Sequence, residues 1–205
     1  MTSLTSAAVF GSTGHSGQYI LASLLATESV KTVYTFSRRA PKIESPKLAA
    51  SIERDNSSVS NKWKIDHDLN VELAKAAREA GVKTYVFISG AGARSALGAY
   101  VPDMKMKRGV EETIEKLGFD HAVILRPGMI LGRRETPHPI GPLLNSIIYG
   151  VGSIAKSLQD KLGQEAEVVG KAAVQAAQTA TEGKAPSKVW VIEGSDLVKL
   201  GNSVQ

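Results

Sequence analysis

Short apolar runs alternate with amphipathic stretches along most of the chain. The first run, Ala7–Phe10, leads through a glycine-rich turn into an amphipathic stretch, so a strand and a helix are predicted within about residues 6–27. Further strands are predicted at 31–37, 84–89, 121–126 and 188–193, and helices at 64–80, 103–117 and 168–181. Strands that alternate with helices pair in parallel, so the pattern predicts an α/β fold of Rossmann type, with a mostly parallel sheet and helices on both faces.

The segment between the first strand and the first helix has a glycine at every third position. Such a turn binds the pyrophosphate of a dinucleotide, because glycine permits a positive φ, close approach of the backbone to phosphate, and tight packing of helix on strand. The helix N-terminus adds free N–H groups and the positive end of the helix dipole. Cofactor phosphates are therefore expected at Gly11, Ser12, Thr13, Gly14, His15, Ser16 and Gly17. An ordinary strand-to-helix turn is the alternative interpretation.

A basic pair, Arg38 and Arg39, follows the second predicted strand. In dinucleotide-binding folds the end of this strand contacts the adenosine ribose. An acidic residue there favours NAD, whereas an arginine accommodates the 2′-phosphate of NADP. The pair therefore predicts NADP as the cofactor, with NAD as the second possibility and a solvated strand end as the alternative.

The regular pattern stops between Ala40 and Trp63. This segment contains two prolines, several serines and charges, and no apolar run of strand length. A doubly wound nucleotide-binding domain normally places further strands here. We therefore expect residues 40–63 to form an irregular connection that replaces about two middle strands of the sheet.

The whole chain, 1–205, is expected to form a single domain, with residues 133–205 on its substrate side. Within that portion, the stretch 142–158 is apolar along one face and lies near Lys156 and Lys161. Two interpretations stay open for it: a helix that packs on the sheet or closes over the substrate side, and a helix that lies in a membrane interface. Asp196 is expected to cap a short terminal helix.

Composition narrows the classes of function. The chain has no cysteine, which excludes disulfides, thiolate catalysis and zinc–thiolate sites, and its four histidines lack metal-ligand spacing. The net charge of +5 is spread along the chain and aromatic residues make up 5%, which fits a cofactor phosphate or an anionic membrane surface better than nucleic acid. No apolar run is long enough to span a bilayer, and Met1–Ser6 lacks the basic residues of a signal or transit peptide.

Several segments together resemble one known family. They are the glycine turn, Ser37–Arg39, Trp63–Leu69, Tyr85–Ser89, Lys105–Lys107 and Leu125–Gly132. The chain resembles, along nearly its whole length, the fungal "found in mitochondrial proteome" protein number 52 family. That family belongs to the atypical short-chain dehydrogenase/reductase superfamily and is related to the Tat-interacting protein. The resemblance implies an NAD(P)-binding Rossmann fold, peripheral attachment to the cytosolic face of the mitochondrial outer membrane, and no settled substrate or protein partner.

The chain departs from this family in the middle of the sheet. The resemblance implies a stretch of roughly 35 to 40 residues before the Trp63 helix that supplies two strands, and most of it is absent here. The strand at 84–89 then has two possible positions. It keeps its family position and leaves a gap, or it moves beside the first strand and satisfies the backbone groups there. We expect the second arrangement.

A second departure concerns catalysis. Members of the superfamily use Tyr-x-x-x-Lys on a helix, with a serine on the preceding strand, and the lysine and cofactor lower the tyrosine pKa for proton exchange with substrate. By this resemblance the lysine is Lys107, the serine is Ser89, and the tyrosine position holds Asp103. An ordinary aspartate has no proton to give near neutral pH, and Asp103 is expected to form an ion pair with Lys107. Tyr100 could substitute only if the helix began early, which Pro102 disfavours.

Three functions follow from these features. The first is an NAD(P)-binding protein of the mitochondrial outer membrane with weak or no oxidoreductase activity. The second is an active NADPH-dependent reductase of an unknown carbonyl substrate. The third is a shortened splice form or gene model that binds no cofactor. Thermal stabilisation by NADPH separates the first two from the third.

Overall fold

The computed structural model of the chain describes residues 3–52, 62–131 and 163–203. Parallel strands alternate with helices through these ranges, as the hydrophobic pattern predicts. The strands are β1 (Ser6–Phe10), β2 (Thr32–Ser37), β3 (Leu48–Ile52), β4 (Thr84–Ile88), β5 (His121–Arg126), β6 (Met129–Leu131), β7 (Gly163–Glu165) and β8 (Val189–Glu193). The helices are α1 (Gly17–Ala26), α2 (Leu69–Glu79), α3 (Pro102–Leu117), α4 (Ala166–Thr181) and α5 (Gly194–Asn202). The predicted Rossmann-like fold class is confirmed.

The first three strands form one parallel sheet in the order β1-β2-β3. Helix α1 covers one face of this sheet, where Val9 and Val33 pack against Leu21 and Leu24. On the other face large apolar side chains are exposed, and the rings of Phe10 and Phe36 stack with their centroids 5.0 Å apart. This half of the fold therefore has a core on one side only among the residues that the structure describes.

The second parallel sheet has the order β4-β5-β8 and a core on both faces. On one face Phe87 and Ala122 pack against Val110 and Ile114 of α3, together with Ala74 of α2. On the other face the buried side of α4 and Leu197 of α5 pack against β5 and β8. The central strand β5 is accordingly the most deeply buried of the three.

Helix α4 joins the two halves. It packs along α1 and also contacts β4 and β5. Ile20 of α1 lies against both cores, and Val174 of α4 belongs to the core of the first half. A short parallel pair, β6 with β7, lies beside the start of α4.

One strand lies in the segment that we expected to be irregular. Residues Leu48–Ile52 form β3, which pairs in parallel with β2 from Leu48 opposite Val33 to Ile52 opposite Ser37. The sequence signal was weak because this is an edge strand with small, mostly exposed side chains. Backbone pairing with β2, rather than burial, supports it, so one of the two strands expected to be lost is present.

The expected position of β4 is wrong. It pairs with β5 alone, and no hydrogen-bonded ladder joins it to β1 in the described part of the chain. The Rossmann order continues the sheet directly past the first strand. Packing fixes β4 in the second half of the fold: Phe87 packs with α3 on one face, and Val86 and Ile88 lie against the α4 side on the other.

Smaller differences concern element ends. A π-helical turn, Lys64–Asp68, precedes α2. Asp196 lies inside the first turn of α5, where it pairs with Lys199, and Glu193 is the N-cap residue; the expectation that Asp196 caps this helix is wrong. The stretch 142–158 lies outside the described residues.

Candidate functional site

The glycine turn lies between the end of β1 and the start of α1, as the sequence predicts. Gly11 has φ of 71°, a conformation that side chains disfavour. Gly17 starts α1 so close to the Gly11 carbonyl that a Cβ at position 17 would collide with it. The Gly14 N–H donates to the same carbonyl (2.9 Å) and closes the turn. The backbone is therefore held in a tight strand-to-helix turn whose next element presents its N-terminus.

A cavity of about 100 Å³ lies beside this turn. Its lining comes from the turn, from α1 and from the segment after β2: Ser12, Thr13, Gln18, Leu21, Arg39, Ala40, Pro41, Lys42 and Ile43. Two cationic residues, Arg39 and Lys42, thus meet the glycine turn here, whereas Arg38 is not part of the lining. Pockets that enclose a whole drug-sized ligand measure ~300–1,000 Å³, so this cavity suits one end of a larger ligand.

The side chain of Ser12 is an unsatisfied polar group in this cavity. Its residue is buried, and its Oγ has no hydrogen-bond partner among the described residues. A buried hydroxyl without a partner costs free energy, and such sites in proteins call for an explanation such as a bound group. A phosphate or ribose oxygen would satisfy it, so the cavity passes this chemical test for a nucleotide.

His15 connects the glycine turn to a distant strand. Its Nε2 donates to the carbonyl oxygen of Leu131, at the end of β6, over 3.1 Å. The Gln18 amide donates in turn to the His15 carbonyl (3.3 Å). This hydrogen bond fixes the glycine turn to the segment that follows Arg126. It joins residues 116 positions apart in the sequence, and the hydrophobic pattern did not predict it.

Ser89 and Lys107 lie together at the carboxyl end of β4. Lys107 of α3 donates from Nζ to the backbone carbonyl of Ser89 (3.1 Å), and Ser89 is buried. Burial of the Lys107 ammonium lowers its pKa below the ordinary value, while the nearby carboxylates of Asp66 and Asp103 act in the opposite direction. The structure thus brings the two predicted catalytic residues together.

The expected ion pair between Asp103 and Lys107 is wrong. The Asp103 carboxylate instead pairs with Lys62 Nζ, at 2.7 and 2.6 Å to its two oxygens. Lys107 turns towards Ser89 because its aliphatic stem packs beside Gly90. Helix α3 does not begin early: it starts at Pro102, and Tyr100 lies before it in a 3₁₀ turn and is 87% exposed.

A buried charge cluster lies one turn beyond Lys107. Glu111 is fully buried and accepts hydrogen bonds from Arg126 Nε (3.0 Å) and Nη2 (2.8 Å) and from Arg94 Nε (2.9 Å). Arg126 also pairs with Glu193 through Nη1 (2.7 Å). Burial acts to raise the pKa of Glu111, but its interactions with Arg126, Ser89 and Arg94 together outweigh burial and hold that pKa below its ordinary value. The cluster fixes α3 to the ends of β5 and β8.

Sequence reasoning missed this cluster. Its signal is a carboxylate beside the apolar face of α3, where Met106, Val110 and Ile114 recur at helical spacing and are buried. A charged residue on such a face is almost never buried without a partner. Arg126, which ends an otherwise apolar strand, is the partner that the pattern offered.

The fold and this site together define a class. A parallel sheet whose first strand ends in a glycine turn that leads into a helix is characteristic of a Rossmann-fold protein. The chain matches the structure of the Bordetella bronchiseptica enzyme WbmH in complex with NAD⁺ with a TM-score of 0.64 and 14% identity, over 98% of this chain and 81% of that one. No family model matches the chain.

Relatives with known names give the family. The chain is 48% identical to "Protein fmp52-2, mitochondrial" of Neosartorya fischeri over 97% of this chain and 96% of that protein. It is 49% identical to "Protein FMP52, mitochondrial" of Chaetomium globosum over 95% of this chain and 96% of that protein. The chain belongs to the Fmp52 family of fungal proteins.

The alignment also bears on the length of the sheet. The match to the Neosartorya protein extends over 226 positions, whereas 97% of this 205-residue chain supplies about 199 residues. About 27 aligned positions therefore have no residue from this chain. This agrees with a chain that is shorter than its relatives by roughly a strand and its connection.

Proposed function

We propose that the protein is an NADP-binding member of the Fmp52 family with weak or no oxidoreductase activity, attached peripherally to the cytosolic face of the mitochondrial outer membrane. The observation that carries the cofactor proposal is the cavity in which the glycine turn meets Arg39 and Lys42. NAD is the second possibility. The names of the relatives support the mitochondrial part, since they are called mitochondrial.

The cofactor proposal assigns a role to each part of the turn. The N–H groups at the start of α1 would hold the pyrophosphate, with Gly11, Gly14 and Gly17 allowing its approach. Ser12, Thr13, His15 and Ser16 belong to the same segment, and the buried Ser12 hydroxyl would donate to a phosphate or ribose oxygen. Arg39, which lines the cavity, would bind the 2′-phosphate, with the neighbouring Arg38 outside the lining.

Replacement of Arg39 tests this assignment. Arg39→Ala is expected to weaken NADPH binding about 10- to 100-fold and to leave NADH binding nearly unchanged, because a charge-assisted hydrogen bond contributes ~1.5–3 kcal/mol. The measurement is thermal stabilisation during titration with each nucleotide; a wild-type protein at 100 times Kd gains about 2.7 kcal/mol.

Arg38→Ala is the matched control, since it removes a neighbouring arginine that does not line the cavity. Equal losses in both variants would assign the effect to general positive charge. No stabilisation of the wild-type protein by millimolar NADPH or NADH would refute cofactor binding and leave the shortened, non-binding form as the explanation.

Weak activity follows from the residue at the tyrosine position. A cofactor bound at the turn would supply hydride chemistry, for which a proton must be exchanged with the substrate. Lys107 and Ser89 are in place, but Asp103 is held by Lys62 and carries no phenol. The position therefore lacks the phenol hydroxyl that the superfamily uses as proton donor.

The second candidate is an active NADPH-dependent reductase of a carbonyl substrate. The contact between Lys107 Nζ and the Ser89 carbonyl favours it, because two of the three catalytic positions remain assembled. Purified protein that oxidises NADPH with any member of a panel of carbonyl compounds would support this candidate. The absence of turnover in protein that NADPH stabilises would leave the binding role alone.

The proposed location is peripheral. Within the three described ranges no helix is both long enough and apolar enough to cross a membrane. The net charge of +5 favours an anionic lipid surface. Release from isolated mitochondria by alkaline carbonate, together with digestion by protease added outside intact mitochondria, is the expected result. Protection from that protease would rule out the cytosolic face.

A further inference from the structure

Among the described residues, the most exposed large apolar side chains lie in one short turn before α3. Leu97 is 80% exposed and Tyr100 is 87% exposed, and Val101, which follows, is exposed too. We call Leu97, Tyr100 and Val101 the apolar turn. Ala96, Ala99 and Pro102 between and beside them are also exposed, so no polar side chain interrupts the run from 96 to 102.

The apolar turn is held in one conformation by its own hydrogen bonds. Ser95 Oγ donates to the Gly92 carbonyl (2.8 Å) and accepts from the Gly98 N–H (2.9 Å). The Val101 N–H donates to the Gly98 carbonyl (3.1 Å), and Gly98 itself is buried. The scaffold beneath the turn is thus packed and bonded, while its large side chains point away from it. Because the turn is already ordered, little further conformational entropy is lost when these side chains bind a partner.

Basic residues lie near the start of α3, the helix that follows the apolar turn. Lys105 is exposed one turn into α3, and the ion pair between Lys62 and Asp103 brings the start of the 64–68 turn to the same place. That start adds Lys64, which is exposed, and Trp63, which is 40% exposed. Aliphatic side chains with Tyr, Trp and Lys around them are the combination that binds a membrane interface, where the rings lie at headgroup depth and the ammonium groups meet anionic lipid.

We propose that the apolar turn, with Trp63 and Lys105 beside it, is the surface by which this protein binds an anionic lipid bilayer. This rests on the proposed peripheral membrane attachment and gives it a site. The net charge of +5 complements such a surface, and the apolar turn leads directly into α3, the helix that carries Lys107.

The test uses the full chain and vesicles of two compositions: phosphatidylcholine alone, and phosphatidylcholine mixed with phosphatidylserine. Wild-type protein is expected to float with the mixed vesicles and to dissociate as salt is added. The double variant Leu97→Ser/Tyr100→Ser is expected to bind at least tenfold more weakly, since burial of even one such side chain is worth about that factor. Lys105→Gln is expected to lose about fivefold.

Tyr34→Ser is the matched control, because Tyr34 is a 47% exposed aromatic residue on the open face of the first sheet. It is expected to bind the vesicles like wild type. NADPH stabilisation and the melting temperature of each variant separate a lost surface from a lost fold.

Two results would overturn the proposal and still leave peripheral attachment intact. In the first, the double variant binds the mixed vesicles as tightly as wild type does. In the second, Tyr34→Ser loses as much vesicle binding as the double variant. If wild-type protein fails to bind either vesicle, the proposed attachment to lipid fails with it. If the double variant instead abolishes self-association in sedimentation velocity and vesicle binding is absent, the turn is a contact between copies of the chain.

Discussion

Asp103 and Glu111 lie two turns apart on one helix, but their ion pairs differ greatly in environment. Asp103 and Lys62 are both at least half exposed, and an ion pair in water contributes only ~0–1 kcal/mol. Glu111 is fully buried between two arginines, so removing it strands positive charge in the core. The Asp103–Lys62 pair therefore affects the charges near Lys107. The Glu111 cluster affects the stability of the packing of α3 against the sheet.

Replacement of Glu111 is expected to destabilise the fold. Glu111→Gln leaves Arg94 and Arg126 with one carboxylate fewer, at a cost of about 3 kcal/mol because Glu115 and Glu193 still pair with them. For a chain of this size that lowers the melting temperature by about 6–12 °C. Asp103→Asn is the control and is expected to shift it by less than about 3 °C. Equal shifts in both variants would contradict the assignment of the buried cluster.

The same carboxylate gives the fold a dependence on pH. Because the pKa of Glu111 in the folded protein lies below its ordinary value, the ionised group stabilises the fold at pH values above the ordinary value of about 4.3. This stabilisation is lost as pH falls through the folded pKa. The wild-type free energy of unfolding is therefore expected to fall more steeply than that of Glu111→Gln below about pH 4.3, measured by urea unfolding in a pH series. Parallel curves would contradict it.

At the scale of elements, one helix and one strand show what a sequence pattern contains and omits. The Ala-rich periodicity predicts α4, and an apolar run of six residues predicts β5. The close crossing of α4 with α1 is not predictable in this way, because it depends on Gly170, which the pattern shows only as one more small residue. A Cβ at Gly170 would lie 2.7 Å from Tyr19 Cβ and 2.8 Å from the Tyr19 carbonyl carbon. The glycine therefore sets how closely the helices cross.

Gly170→Ala is expected to destabilise the protein by about 1–3 kcal/mol, the usual cost of overpacking. This outweighs the ~1 kcal/mol that alanine gains over glycine in a helix. Glu167→Ala, on the exposed side of the same helix, is the control and should cost about 0.3–0.5 kcal/mol through its pair with Lys171. Chemical denaturation measures both. If Gly170→Ala is neutral or stabilising, the space between α1 and α4 accommodates a Cβ at this position.

The candidate site was predictable only where the chemistry is local. The glycine turn and Arg39 are readable from short motifs that follow strands, whereas Ser89 and Lys107 were predicted through the family resemblance, and the structure places Lys107 of α3 against Ser89 at the end of β4. The tie from His15 to Leu131 and the partner of Asp103 depend on residues far apart in sequence, at 116 and 41 positions. Strand β3 was missed for a different reason: its small, exposed residues form a ladder without burying an apolar face.

At the scale of the whole molecule, the sheet is divided where a Rossmann fold is usually most continuous. The first strand normally lies in the middle of the sheet, with neighbours on both sides. Here β1 pairs with β2 alone in the described residues, and Ser6, Ala8 and Phe10 are exposed along it. Helix α4 joins the halves by its packing on α1, β4 and β5. Among the described residues, the glycine turn therefore follows an edge strand. A nucleotide site at this turn is well ordered only if that strand stays paired with β2.

Hydrogen exchange tests this division. Amides of β1 are expected to exchange at least about 100-fold faster than those of β5, because local opening of an edge strand costs less free energy than opening of a central one. The central strand β5 pairs with both β4 and β8 and has four buried residues. NADPH at saturating concentration is expected to slow exchange most at β1 and at residues 11–17, which would hold its pyrophosphate, and less at β5. Equal protection of β1 and β5 without ligand would mean that a strand from elsewhere in the chain pairs with the open edge of β1 in solution.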